Sequence, residues 1–256
     1  MSRSTDQNFQ GGPAAHLRKK TVRIARLLER HLGVPERRRP LAEPLDMLIA
    51  TILSQNTNDK NSHRAYTELR RRYPTWELVA AATGAALRSA IRTGGMANQK
   101  SIRIKETLAA VRERYGRYDL GPLRRKPNDR VMKELTDLKG VGAKTAACVL
   151  LFSLGRDVFP VDTHVHRLCT RLGLAPGSPD PERTFAWMKD LIPPGKGHSL
   201  HTNLIRFGRT VCRSSNPRCG GCVLFAECDF EGKKGPGMLR RTPSRADHDF
   251  MLLDNV

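Results

Sequence analysis

The chain has 256 residues, with 45 Lys and Arg against 25 Asp and Glu, a formal net charge of +20 and a pI near 10.4. That length buries one large core or two modest ones, and so positive a field favours a polyanionic partner, DNA or RNA before any other. A run of about 18 apolar residues is missing, so no membrane span is expected; residues 1–12 lack an apolar signal region, so secretion is not expected either; and aromatics at 5% argue against a long base-stacking platform for single strands.

Apolar residues recur three and four apart almost throughout, predicting helices at Leu17–Leu32, Leu45–Leu53, Ala65–Tyr73, Ile102–Val111 and Val131–Leu138. The same spacing continues at Ala146–Leu154, Val165–Leu172, Phe185–Ile192 and Leu200–Val211. Gly33 with Pro35, Thr75 after Pro74, Asn128 after Pro127, and Gly173 with Pro176 punctuate them. No alternating stretch is long enough for a sheet, and no internal repeat is found, so an all-α protein is expected. Residues 1–16 and 231–256 read as tails rich in Gly, Pro and charge. Three basic clusters, Arg37-Arg38-Arg39, Arg70-Arg71-Arg72 and Arg124-Arg125-Lys126, are either solvated faces or DNA contacts.

Six cysteines in a chain without secretion signals read as metal ligands or buried thiols before disulfides. Cys148 and Cys169 fall at apolar helix positions and read as small buried hydrophobes. The other four, Cys212-x6-Cys219-x2-Cys222-x5-Cys228, can close around one soft metal centre. Bare spacing leaves an iron–sulfur cluster and a four-cysteine zinc site both open, with the unequal loops favouring the cluster.

Leu138-Lys139-Gly140-Val141-Gly142-Ala143-Lys144-Thr145-Ala146 joins two helical patterns through two glycines. Glycine permits positive φ and close backbone approach, and the next helix offers free N–H groups. Such a turn grips one phosphate without reading sequence, or it is a plain helix–helix connection. Eighteen residues beyond Lys144 comes Pro160-Val161-Asp162-Thr163-His164, where an Asp opening a helix is by itself an ordinary N-cap. His164 and His166 are read as packing or helix-terminus residues, outside the catalytic set.

In combination these motifs resemble the endonuclease III family of helix-hairpin-helix DNA glycosylases over roughly residues 17–230. Lys139 stands where that family usually has Pro. The resemblance implies a [4Fe–4S] cluster held by Cys212, Cys219, Cys222 and Cys228, with Arg213 and Arg218 displayed on the first ligand loop for phosphate. It implies that Lys144 is the nucleophile and Asp162 its acidic partner, and that Gly140 and Gly142 meet the DNA backbone. Leu53-Ser54-Gln55-Asn56-Thr57-Asn58-Asp59 resembles the family's gap-filling loop, with Asn56 rather than Gln55 in register with the usual Gln and either side chain a candidate to fill the gap. Gly94-Gly95-Met96-Ala97-Asn98-Gln99-Lys100 resembles its wedge loop, with Met96 as the apolar wedge and Lys100 either solvated or on a phosphate.

The fold so implied is a six-helix barrel with the hairpin, residues 40–156, and a discontinuous cluster domain, residues 17–39 with 157–230, flanking a DNA-binding cleft. The function implied is a monomeric, cytoplasmic, nucleoid-associated base excision repair enzyme: a bifunctional glycosylase and AP lyase acting on oxidised pyrimidines in double-stranded DNA containing damaged bases or abasic sites. A monofunctional mismatch or uracil glycosylase and a non-catalytic DNA-binding iron–sulfur protein are the alternatives.

Overall fold

Helix α2 (Pro44–Ser54) is apolar on every side, and Leu45 to Leu53 are buried apart from the half-covered Asp46. A helix with no polar face has to be surrounded. The computed structural model, which describes residues 13–37 and 39–235, surrounds it with helices and contains no strand among those residues. The described chain divides into two compact units, Glu36–Pro160 and a second that joins the residues up to Pro35 with those from Val161 on.

In the first unit α2 is followed by α3 (Asp59–Arg72), α4 (Trp76–Ala81), α5 (Gly84–Ala90), α6 (Ala97–Tyr115), α7 (Asn128–Thr136) and α8 (Ala143–Cys148). Helix α8 runs directly into a π-helical turn, Val149–Ser153, so the continuous helix expected at Ala146–Leu154 changes its winding midway. Ile49, Ile52, Leu69, Ile104, Leu108, Val131 and Leu150 belong to one core, each at most 1% exposed. Local chemistry sets the boundaries. The side chains of Asn58, Thr75 and Thr83 accept hydrogen bonds from the backbone N–H groups of Asn61, Leu78 and Ala86, capping α3, α4 and α5. Gly116, at φ 71, ends α6.

In the second unit α1 (Pro13–Leu32) buries Thr21, Ile24, Leu28 and Leu32, one stripe at helical spacing, and packs against α11 (Gly197–Thr210). Helices α9 (Thr163–Arg171) and α10 (Pro181–Met188) complete it, followed by the cysteine-bearing loop. Helix α1 begins at Pro13, so the N-terminal tail expected to reach residue 16 is helical over its last four residues. The remainder of that expected tail, Arg38, and residues 236–256 lie outside the described residues. Among the described residues no helix is long and apolar enough to cross a membrane.

Two of the basic clusters are occupied within the fold. Arg71 and Arg72 both bind Glu68, which holds that carboxyl at about 2, and Arg70 lies 3.7 Å from Asp46 and 4.4 Å above the Trp76 ring. Arg124 binds the Ser153 carbonyl and Glu43, while Lys126 binds Glu134. These side chains hold helices together, and exposed pairs of this kind contribute modestly to stability.

Candidate active site

The hairpin lies between α7 and α8. Gly140 adopts φ +78, in the left-handed region, and the Val141 N–H closes the turn on the Leu138 carbonyl at 3.0 Å. Leu138 and Val141 are buried and anchor the turn from below. A Cβ on Gly140 would collide with the Arg103 side chain, whereas one on Gly142 would meet nothing within 4 Å. Gly142 is exposed, extended, and the N-cap of α8, where the first N–H groups of the helix have no side-chain partner. Lys139, in place of the expected Pro, is tied to Glu106 at 2.7 Å rather than left free for a phosphate.

Lys144 is the second residue of α8, half-buried, with Thr145 to Cys148 buried behind it. Among the described residues no hydrogen bond or ion pair engages its amine.

Two loops of the same unit come together beside α6. Asn56 and Met96 are non-glycine residues in the left-handed region, at φ 52 and 49, and the Asn56 amide nitrogen lies 3.6 Å from the Met96 sulfur. Both side chains are exposed, Met96 by 46%. Gln55 differs from its neighbour: its amide oxygen accepts a hydrogen bond from Arg103 at 2.5 Å. Of the two residues considered for filling a gap in the duplex, Asn56 is therefore the one displayed beside Met96.

Lys100 corrects the sequence expectation. It is neither solvated nor open to a phosphate, being 2% exposed with Nζ donating to the carbonyls of Leu53 at 2.7 Å and Gly94 at 2.8 Å. Burial first, and then the nearby Arg103 charge, lower its ammonium to about 8. Sequence reasoning also missed Arg103; the available signal was its spacing, one turn from Lys100 on the same helix.

In the second unit Asp162 is the N-cap of α9, with Oδ1 accepting the Val165 N–H at 2.8 Å. Behind it the fully buried Cys169 thiol is pushed up to about 12 by burial and then by the Asp162 charge. His166 bonds Thr184 through Nδ1 at 2.8 Å, in keeping with a packing role. Helix α9 is also stitched to the cysteine loop. Arg167 donates to the Cys212 and Gly208 carbonyls, and Arg171 donates to the Arg213 carbonyl at 2.7 Å, approaches the Cys212 sulfur at 3.4 Å and stacks on Phe230.

Cys212, Cys219, Cys222 and Cys228 are all half-buried, none is in a disulfide, and together they line one cavity walled by Phe225 and Phe230. Burial raises the Cys222 thiol to about 12, and the Cys212, Cys228 and Cys219 charges add to the shift, so the four sulfurs lie within electrostatic reach of one another. Among the described residues no three His, Cys, Asp or Glu side chains gather closely enough for a single metal ion. Arg213 and Arg218, on the first loop, are both exposed, and Arg218 also lines the cysteine cavity. Cys148 and Cys169 are wholly buried, as small hydrophobes are.

A family model described as HhH-GPD superfamily base excision DNA repair protein matches residues 49–194. Endonuclease III of Thermotoga maritima is 36% identical over 203 residues, 79% of this chain and 91% of that protein. Endonuclease III of Escherichia coli is 31% identical over 195 residues, 75% of this chain and 86% of that one. A solved non-covalent endonuclease III–DNA complex superposes with a TM-score of 0.70 at 27% identity, covering 83% of this chain and 95% of that one. With the hairpin, its lysine and the capping aspartate in place, these likenesses identify the chain as a member of the HhH-GPD superfamily of base excision DNA repair proteins.

Proposed function

We propose that the protein is a bifunctional DNA glycosylase and AP lyase that excises oxidised or ring-saturated pyrimidines from duplex DNA. The observation that carries this reading is Lys144, two residues beyond an open, side-chain-free helix N-cap at Gly142. The turn receives a phosphate on backbone N–H groups, and the lysine two residues on is thereby held close to a sugar.

The Lys144 amine, in its neutral form, attacks C1′ as the glycosidic bond breaks, and the departing base leaves with the bonding electrons and takes up a proton. The C1′ adduct opens to a Schiff base, which acidifies the C2′ proton; removal of that proton expels the 3′ phosphate by β-elimination. Water then hydrolyses the imine and frees Lys144. By the family resemblance Asp162 is the acidic partner in this reaction, its carboxylate stabilising the positive charge that develops on the sugar. Its role as N-cap is compatible with this, since a carboxylate has a second oxygen.

Asn56 fills the space left by the displaced nucleotide and Met96 wedges between bases of the opposite strand. Gln55 supports them from behind, through Arg103. Arg213 and Arg218 contact phosphates, and the +20 charge draws the protein to DNA. The four cysteines suit a [4Fe–4S] cluster: four soft thiol donors, separated by unequal loops, line one cavity. Cys212, Cys219, Cys222 and Cys228 would hold the cluster, which would stiffen the loop that carries Arg213 and Arg218 and supply a structural or redox-sensing centre rather than a hydrolytic one.

The test is base release and strand scission on duplexes carrying one thymine glycol, one uracil or one G·T mismatch. Release from thymine glycol with scission 3′ to the lesion is expected. Base release without scission would instead establish a monofunctional glycosylase, and binding without release a non-catalytic protein.

A further inference from the structure

We propose that Lys100 and Arg103, one turn apart on α6, are positioning residues that lock the Asn56 loop, the Met96 loop and the hairpin turn into one preformed duplex-opening edge. The inference rests on the reading that Asn56 and Met96 enter the duplex, and adds the device that holds them.

Three observations support it. Lys100 spans the two loops: it joins the carbonyl of Leu53, in the last turn of α2, to that of Gly94, the last residue of the 3₁₀ turn Arg92–Gly94. Carbonyls at helix ends lack intrahelical donors and carry the negative end of the dipole, so an ammonium placed there is paired although buried. The backbone approach at that point is close. A Cβ on Gly94 would lie 3.1 Å from the Ala65 Cβ and 3.9 Å from the Leu53 oxygen. Arg103 extends the connection, with its guanidinium on the Gln55 amide oxygen and its side chain packed where a Cβ on Gly140 would be.

The consequence concerns strain. Asn56 and Met96 are both held in the left-handed region, which residues other than glycine rarely adopt and which, for Met96 above all, persists only when the surroundings over-determine it. These cations reach residues one to three positions before the strained ones: Gln55 precedes Asn56, Gly94 lies two residues upstream of Met96, and Leu53 three upstream of Asn56. An apolar residue in place of Lys100 would serve a core, but it would not fix two carbonyls at once. The cation is thus spent on geometry at the loop tips rather than on contact with DNA.

The experiment uses the full-length protein and a duplex bearing a tetrahydrofuran abasic analogue opposite 2-aminopurine, whose fluorescence rises when it unstacks. Binding is followed separately by anisotropy. Wild type should bind with a fluorescence rise. At saturating protein Arg103→Met and Lys100→Met should bind yet lose most of that rise, and cleave abasic duplex with kcat down about tenfold and KM little changed; Lys100→Arg, which keeps two donors, should recover part of it. Melting temperatures identify any variant that fails to fold, and Arg103→Met decides if Lys100→Met does not fold. Folded variants with the wild-type rise would overturn the positioning role alone. A wild type that binds without any rise would overturn the underlying reading of the two loops.

Discussion

Asn56 and Met96, forty residues apart in sequence, meet through an amide nitrogen and a sulfur 3.6 Å apart, each on a backbone turned into the left-handed region. Because both side chains are exposed and neither supports the core, truncating them separates DNA work from folding. Met96→Ala is expected to change stability by no more than about 0.5 kcal/mol, while slowing excision from duplex DNA several-fold and leaving cleavage of a single-stranded abasic site unchanged. Parallel loss on both substrates would place Met96 outside duplex opening.

The two hairpin glycines make opposite predictions. Gly140→Ala forces a side chain into the left-handed region and onto Arg103, and should destabilise by roughly 1–3 kcal/mol. Gly142→Ala is in an allowed conformation facing open space and loses only a glycine N-cap, so it should lower stability by no more than about 0.5 kcal/mol and instead weaken DNA binding. Equal effects of the two on stability would contradict the assignment of Gly142 to the DNA face.

Asp162 caps α9, and Asn caps as well as Asp does. Asp162→Asn should therefore keep the melting temperature and DNA affinity while losing base excision; Asp162→Ala should in addition cost about 1 kcal/mol of stability. An Asn variant that retains excision would return Asp162 to a cap and nothing more.

Lys100 predicts a pH dependence. Its ammonium titrates near 8 in the folded protein and at its ordinary, higher value, 10.5, when unfolded. Below both values the group is charged in either state, and burial of that charge opposes folding throughout. Between about 8 and 10.5 the unfolded chain holds more protons, so this site's contribution to stability rises with pH. Urea unfolding of wild type and Lys100→Met at about pH 7 and about pH 10 should show the difference moving in favour of wild type at the higher pH; a difference that does not move would refute the buried charged state.

The four-cysteine cavity predicts a coloured protein. Purified material should absorb broadly near about 400 nm, and Cys222→Ser should remove the band together with bound iron. Stoichiometric zinc in a colourless protein would assign the site to the other metal.

Much of this architecture was legible because the signals were periodic or paired. The apolar spacing of Leu45–Leu53 and Leu200–Val211 marks α2 and α11, and the two glycines before Lys144 mark the hairpin. Helices α4 and α5, six and seven residues long, are too short to express a 3.6-residue period, and only Thr75 hinted at one of them. Lys100 was misread because a lysine is ordinarily solvated; the carbonyls that bury it come from Leu53 and Gly94, and the Leu53 contact spans 47 residues of sequence. The triple-arginine run at Arg70 reads from sequence as either a solvated face or a DNA contact; its partners Glu68, Asp46 and Trp76 are brought there by the helix turn and by α2 and α4, which a run of like charges does not announce.

The most direct test of the central claim is borohydride trapping on an oligonucleotide duplex with one abasic site, comparing wild type with Lys144→Ala. A covalent protein–DNA adduct in wild type that vanishes in the variant is the predicted result, since reduction of an imine to Lys144 fixes a protein–DNA bond whereas reduction of the free abasic aldehyde does not. An adduct of equal yield in Lys144→Ala, or none from folded wild type that binds the duplex, would contradict it.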